Sequence, residues 1–351
     1  MRRSQGCPNG KLIVRNLRII CWKKYENSKV ATNKSRRPFI IRDEDNTIAS
    51  NIEERYKNII KETLNIDDAD KEDAVENINF LQANEREPDF TYEEIYEIIA
   101  KMRDRSAPGL DRISSKFVKC LFNKYPSFFV ILYNKCMQLH VFPENWKVGR
   151  LVLLPKGENR FRPICLLKVF AKVFDKLIAN RLSYAVENEK LIADCQYGFR
   201  KGRSADLALY NVITTIRDLK KVEHVALVSF DVRAAFDSVK WSSVLNKISK
   251  LNITKNLFLT VRDYFRNRKV IFTGISEQMY VEQQIYKGCP QGSCSAPLFW
   301  ALTVNTLLAE FNIPNARIVC YADDILIIIN GVSLEKIQET FVGVERKLTD
   351  W

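Results

Sequence analysis

Apolar residues along this chain fall into short runs whose spacing alternates between a period near 3.6 and a period near two, the signatures of helices and strands. Residues 52–64 (IEERYKNIIKETL) and 91–103 (TYEEIYEIIAKMR) space Ile, Tyr and Leu along one helical face, and Thr91 with Glu94 has the form of a capping box. Pro88 and Asp89 between them predict a linker. Further helices are expected at 115–123, 128–139, about 168–188 and 205–220, with a strand hairpin at 150–167. An apolar strand, Val225–Phe230, runs into Asp231, after which the pattern turns helical through Ala234, Ala235, Val239 and Trp241. Gly288, Pro290, Gln291 and Gly292 form a turn before a helical run from Ala296 to Leu308. RIVCYADDILIII at 317–329 predicts two short strands, Arg317–Cys320 and Ile325–Ile329, with Ala322-Asp323-Asp324 at the tight connection.

That last run sets two carboxylates into an apolar stretch. Uncompensated buried carboxylates are costly, so a cation is expected beside Asp323 and Asp324, and two oxygen-rich side chains at a hairpin tip suit a hard divalent cation such as Mg²⁺. An ordinary turn accounts for the pair equally well, because Asp favours turns through its own local hydrogen bonds. Asp231, at the end of an apolar strand, stands where a carboxylate reaches out of a sheet into a cleft. Spacing alone does not bring the three acids together.

A series of ordered motifs supplies the link. APGLDRIS at 107–114, RLVLLPK at 150–156, RFRPICLLKVFAKVFDKLIANRL at 160–182, QYGFRKGRS at 196–204, AFD after Asp231 with KGCPQGS at 287–293, and YADD at 321–324 stand in the order of the polymerase blocks of reverse transcriptases. Over roughly residues 98–351 the chain resembles the reverse transcriptase of a non-LTR (long interspersed element-type) retrotransposon. The resemblance implies an α+β right-hand polymerase core with fingers and palm. It implies an N-terminal extension at 1–97, fingers at 98–222, and a palm at 223–351 that stops in the helix after YADD, before the thumb. Asp231, Asp323 and Asp324 are then the catalytic carboxylates and metal ligands, with the Val232 carbonyl as a backbone ligand, for Mg²⁺ or alternatively Mn²⁺. The family has Asp-Gly where this chain has Asp111-Arg112.

The same resemblance gives the nucleotide a set of partners. Phe236, five residues after Asp231, takes the position of a bulky aromatic beneath the incoming sugar, where a ring excludes a ribose 2′-hydroxyl; alone, it reads as a core aromatic on the helix after Asp231. Lys156 and Arg162 flank the short loop of the 150–167 hairpin and suit a polyphosphate, although basic residues at a turn also serve simply to solvate it. Gln291, beside Gly292, offers both a donor and an acceptor to a sugar or base, where a plain turn is the competing reading. Arg200, Lys201 and Arg203 are expected to face phosphate.

Composition agrees with polyanionic partners: RNA template, DNA primer or target DNA, and deoxynucleoside triphosphates. The net charge is +13 and the pI about 9.2. Residues 1–42 hold 12 basic residues and 1 acidic, whereas 43–97 hold 5 basic and 18 acidic, so the extension is a basic arm followed by an acidic helical segment. Trp22 and Tyr25 among the lysines of that arm suit base stacking, while a solvated tail is the simpler reading. The 9 Cys and 2 His lack the spacing of a zinc site and read as reduced thiols and structural imidazoles. No run approaches the roughly 18 apolar residues of a membrane span, and no signal peptide is evident, which places the chain in the nucleus or cytoplasm. An RNA-directed DNA polymerase is the leading reading, with a catalytically inactive truncated remnant that binds RNA as the alternative.

Overall fold

The structure is a computed structural model and describes residues 18–19, 52–66, 78, 80, 87–155, 161–232, 234–273 and 280–351. Arg18–Ile19 form a short strand, β1. Helices α1 (Ile52–Thr63), α2 (Tyr92–Lys101), α3 (Ser115–Lys124), α4 (Pro126–Gln138) and α5 (Glu144–Lys147) lead into β2 (Val148–Pro155) and β3 (Phe161–Leu166). Two helices, α6 (Val169–Asn188) and α7 (Ala205–Leu219), precede β4 (His224–Asp231). Then come α8 (Trp241–Ile248), α9 (Lys255–Phe265), β5 (Lys269–Thr273), β6 (Tyr280–Gln284), α10 (Ala296–Ala309), β7 (Ala316–Tyr321), β8 (Asp324–Gly331) and α11 (Leu334–Asp350). The mixed helix and sheet content is the α+β class expected. Among the described residues no helix is long and apolar enough to cross a membrane.

These elements sort into two compact units that cut across the expected segment boundaries: residues 1–31, 190–235 and 300–351 in the first, 32–189 and 236–299 in the second. The cause is strand pairing. In the second unit β2 pairs antiparallel with β3 and parallel with β5, which brings 236–299 together with the 148–166 hairpin in a sheet of order β3-β2-β5-β6. In the first unit β4 pairs antiparallel with β8 and β8 with β7, in a sheet of order β1-β4-β8-β7.

Helix α7 covers one face of the first unit's sheet. Period two sends Val225 and Leu227 of β4, Leu326 and Ile328 of β8 and Val319 of β7 to one face, where Ala208, Val212, Ile216 and Leu219 of α7 pack on them. Within the second unit the core is rich in rings: Phe174 stacks on Tyr133 and Phe142, and Phe142 meets Tyr264 edge-on. The expected capping box forms, the Thr91 hydroxyl accepting from Glu94 N–H and the Glu94 carboxylate from Thr91 N–H.

Residues 87–91 are not a linker. Phe90 is buried, its backbone N–H and C=O both held by the Asn134 side chain, and Arg181 of α6 binds the Glu87 carboxylate at 2.7 Å while lying over the Phe90 ring at 4.2 Å. Pro88 and Asp89 break the helix periodicity, but a half-buried arginine with several partners fixes the segment they form. At the turn before α3, Arg112 adopts φ +58°, a left-handed backbone that glycine takes without strain.

Candidate active site

The three acids stand at one end of the first unit's sheet. Asp231 and Asp324 are direct partners across the β4–β8 ladder, and Tyr321 is the partner of Asp324 across β8–β7, so the three side chains form one row on the face that α7 covers further along. Directly opposed residues have Cβ atoms about 4.5–5.5 Å apart. The row ends in solvent, with Asp231, Asp324 and Tyr321 all exposed. Asp323 sits beside it, in the connection from β7 to β8.

Like charges opposed on a ladder repel, and the site shows it. Partial burial raises the Asp324 carboxyl above the ordinary carboxylate range, and the charges of Asp323 and Asp231 raise it further. No cation is among the groups acting on it, so the positive charge expected beside the pair is not supplied by a neighbouring side chain among the described residues. As the side chains stand, no three such ligands close into a coordination group among the described residues. The donor set nonetheless fits a hard divalent cation: oxygen ligands only, mutually repelling, and open to water on one side. Val232 buries its side chain, which leaves its backbone carbonyl as the atom it can offer.

The turn carrying Asp323 is tighter than expected. Only Ala322 and Asp323 connect the strands, and Asp324 already belongs to β8. Ala322 has φ +60°, a conformation that costs a residue with a Cβ on the order of 1–3 kcal/mol and persists only where its surroundings enforce it. Those surroundings are specific. The Trp300 indole N–H donates to the Ala322 carbonyl at 2.9 Å. Gly198 lies so close that a Cβ there would fall 2.1 Å from the Ala322 nitrogen. The stretch before Gly198 runs along β7 as an extra edge, with Cys320 N–H donating to the Cys195 carbonyl and Tyr197 N–H to the Cys320 carbonyl, both at 2.8 Å. Asn305 of α10 holds the start of the same loop through Leu191 and Ala193.

The QYGFRKGRS loop is therefore a brace for the YADD turn. Two of its basic residues work within it: Arg200 donates to the carbonyls of Ala193 and Gln196, and Arg203 pairs with Asp194 at 2.6 Å over the Tyr197 ring. Lys201 stays exposed. Sequence reading missed the bracing by Gly198 and Trp300; the glycine between two large residues was the available signal, whereas nothing marked the tryptophan.

In the second unit, the segment from Phe236 is not the expected helix. Ala234 has φ +52°, and only one 3₁₀ turn, Phe236–Ser238, forms before α8. The carbonyls of Phe236 and Val239, which a helix would use internally, accept instead from the N–H groups of Cys289 and Gly288, both at 2.8 Å. The Trp241 indole completes the clasp by donating to the Gly288 carbonyl at 2.7 Å. Phe236 is half-buried rather than a core ring.

This clasp joins two candidate nucleotide residues. Gln291 donates its Nε2 to Oδ2 of Asp237 at 3.0 Å, and its backbone carbonyl accepts from Cys165 N–H on β3 at 3.0 Å. Gly292, at φ +126°, is exposed and would bring a Cβ within 2.8 Å of the Cys165 carbonyl. Asp237 is buried, which pushes its carboxyl up to about 7 against the opposing pull of the Gln291 hydrogen bond. A small cavity of about 20 Å³ beside the turn is lined by Asp237, Gln291, Lys287, Pro163 and Cys165 among others. Arg162 is exposed on β3, on the strand face opposite Pro163 and Cys165. Lys156 lies outside the described residues. Burial raises the thiols of Cys289 and Cys294, the latter to about 12, so neither favours the thiolate that binds metal.

Together these parts define a class: an α+β protein with an exposed carboxylate site suited to hard divalent cations. Residues 154–351, more than half of the chain, match the family described as reverse transcriptase (RNA-dependent DNA polymerase). Similar proteins include a putative 115 kDa protein of the type-1 retrotransposable element R1DM of Drosophila melanogaster, 31% identical over 70% of this chain and 24% of that protein. The retrovirus-related Pol polyprotein from element R1 of Bradysia coprophila is 30% identical over 78% of this chain and 27% of its own length. A solved structure of apo telomerase from Candida tropicalis, truncated from its C-terminal domain, aligns with a TM-score of 0.44 at 14% identity, covering 59% of this chain and 47% of that one. The chain belongs to the reverse transcriptase family, in the branch of non-LTR retrotransposons. It spans about a quarter of the length of the curated relatives it matches.

Proposed function

We propose that this chain is the core of an RNA-directed DNA polymerase, a right-hand arrangement of fingers and palm that adds deoxynucleotides to a primer 3′-hydroxyl on an RNA template. The observation that carries the reading is the opposition of Asp231 and Asp324 at the exposed end of their ladder, beside Asp323, in a member of this family. Asp231, Asp323 and Asp324, with the Val232 carbonyl, are the groups to hold two Mg²⁺ or Mn²⁺ ions. When bound, such ions polarise the attacking hydroxyl and neutralise charge on the leaving pyrophosphate.

The chain's own side chains do the rest. Phe236 bars a 2′-hydroxyl from the sugar position, and Gln291 hydrogen-bonds the sugar or base. Arg162 and Lys156 bind the triphosphate, the guanidinium through paired N–H donors and the ammonium as a point charge. The partners are an RNA template, a DNA primer or target DNA, and deoxynucleoside triphosphates.

The test is extension of a DNA primer on an RNA template by purified chain. Extension is expected with Mg²⁺ and is expected to be lost in Asp323→Asn; salt-sensitive RNA binding without extension would instead indicate a binding protein. In Phe236→Val, ribonucleotide incorporation should rise relative to deoxynucleotide, and unchanged sugar selection would remove Phe236 from this role.

A further inference from the structure

We infer that Asp237 is a positioning residue that decides which end of the Gln291 amide is presented to the nucleotide. The inference rests on the reading of Gln291 as a nucleotide-facing residue and adds a device that controls it. The geometry is a single hydrogen bond, Gln291 Nε2 to Asp237 Oδ2 at 3.0 Å, made to a carboxyl group that is only 8% exposed.

The two ends of a glutamine amide have opposite chemistry, and a carboxylate discriminates between them. An ionised carboxylate has no proton to donate, so it accepts only from the NH₂ end. The Gln291 carbonyl oxygen is then left as an acceptor for a donor on the nucleotide, such as a sugar hydroxyl. A protonated carboxyl carries an O–H that can donate to the amide carbonyl, so the opposite orientation, with the NH₂ end outward, becomes available. Sliding away is not an alternative, because the backbone on both sides is fixed: Phe236 and Val239 are bound to Cys289 and Gly288, and Gln291 to Cys165. At Gly288 a Cβ would come within 2.9 Å of the Asp237 carbonyl, which leaves no slack between the two segments.

Burial places this choice near neutrality, since it raises the Asp237 carboxyl to about 7. The other titratable side chains lining the adjoining cavity are Cys165 of β3, Cys289 of the turn and Lys287; Leu64, Leu151, Val270 and Ile285 make up the apolar wall. Burial raises both thiols, Cys165 to about 11 and Cys289 further, so they remain neutral while Asp237 titrates. Above the Asp237 midpoint the carbonyl end faces out; below it the amide has no fixed direction.

The purified full chain, labelled with ¹⁵N at glutamine, tests the pair directly. The Gln291 side-chain NH₂ resonances, assigned by their loss in Gln291→Leu, are expected to titrate with a midpoint near 7 in the unsubstituted chain and to be flat in Asp237→Asn. Absence of titration in the unsubstituted chain, or the same titration in Asp237→Asn, overturns the inference. Primer extension supplies the second readout. KM for the deoxynucleotide is expected to rise about fivefold as pH falls through the same midpoint, the value of one hydrogen bond, with a smaller effect on kcat. In Asp237→Asn, KM should be raised and independent of pH, which a purely structural contact would not produce; a KM profile unchanged by the substitution counts against the inference. If no primer is extended at any pH, the polymerase reading fails on its own account, and the resonance titration still decides whether Asp237 directs the amide.

Discussion

At Asp237 the chain places a carboxyl where little water reaches, and the cost of ionising it there enters the stability of the whole protein. Between about 3.8, where an ordinary aspartate ionises, and about 7, the folded chain holds a proton that the unfolded chain has released. Stability therefore falls as pH rises through that window and is independent of this group above it. The full effect is at most about 4 kcal/mol, at 1.36 kcal/mol per pKa unit. Thermal melts of Asp237→Asn and the unsubstituted chain, compared from about pH 4 to about pH 8, should show the Asn variant gaining relative stability as pH rises. A constant difference across that range would mean that Asp237 ionises as an ordinary aspartate. The sequence did not announce this residue: an acid beside a strand end looks exposed until the fold brings the 288–292 turn over it.

Among the non-glycine residues in left-handed backbone, Arg112 and Ala322 differ in what they support. Arg112 makes a local turn, its N–H donating to the Gly109 carbonyl and Ile113 N–H to the Asp111 side chain. Replacing it with glycine removes the strain at φ +58°, so Arg112→Gly should raise stability by about 1 kcal/mol after glycine's extra unfolded-state entropy is counted. Chemical denaturation measures this, and a loss of stability would show that the arginine side chain matters more than its backbone. Ala322, by contrast, is held by a neighbouring element. Gly198→Ala would drive a methyl group into the Ala322 backbone and shift Asp323, and displacement by about 1 Å can cost on the order of 100-fold in rate. Cooperative melting together with a large loss of primer extension is the expected pair of results; full extension would show that the brace does not position the turn.

Much of this was legible before the fold. The strands ending at Asp231 and flanking Asp323–Asp324, the capping box at Thr91 and the hairpin before α6 follow from period and turn chemistry, which are local properties. The missing helix after Asp231 and the anchored 87–91 segment were not legible, because their backbone groups bond to Cys289, Gly288, Asn134 and Arg181, all distant in sequence. Pairing of Asp231 with Asp324 likewise depends on register between strands far apart, and only the ordered motifs pointed to it.

Over the whole molecule, charge is segregated. Residues 1–42 are strongly basic, 43–97 strongly acidic, and the remainder basic enough to leave +13 overall. A surface of this kind binds a polyanion chiefly by releasing counterions. If about six phosphates are neutralised, RNA affinity should fall on the order of 1,000-fold between roughly 50 and 200 mM salt. Fluorescence anisotropy with a labelled RNA reads the slope, and affinity indifferent to salt would mean that the basic balance is not used for RNA.

The interleaving of the two units also sets an order of events during synthesis. β4, which carries Asp231, leaves the ribosome well before its ladder partner β8 exists, and at about 5–20 residues per second the wait is roughly 5 to 20 s. For that interval an apolar strand has neither its neighbour nor the helix α11, and its unpaired edge is available to any other nascent chain. Yield of this protein should depend on what shelters that strand in the meantime, and therefore on the chaperones of the cell that makes it.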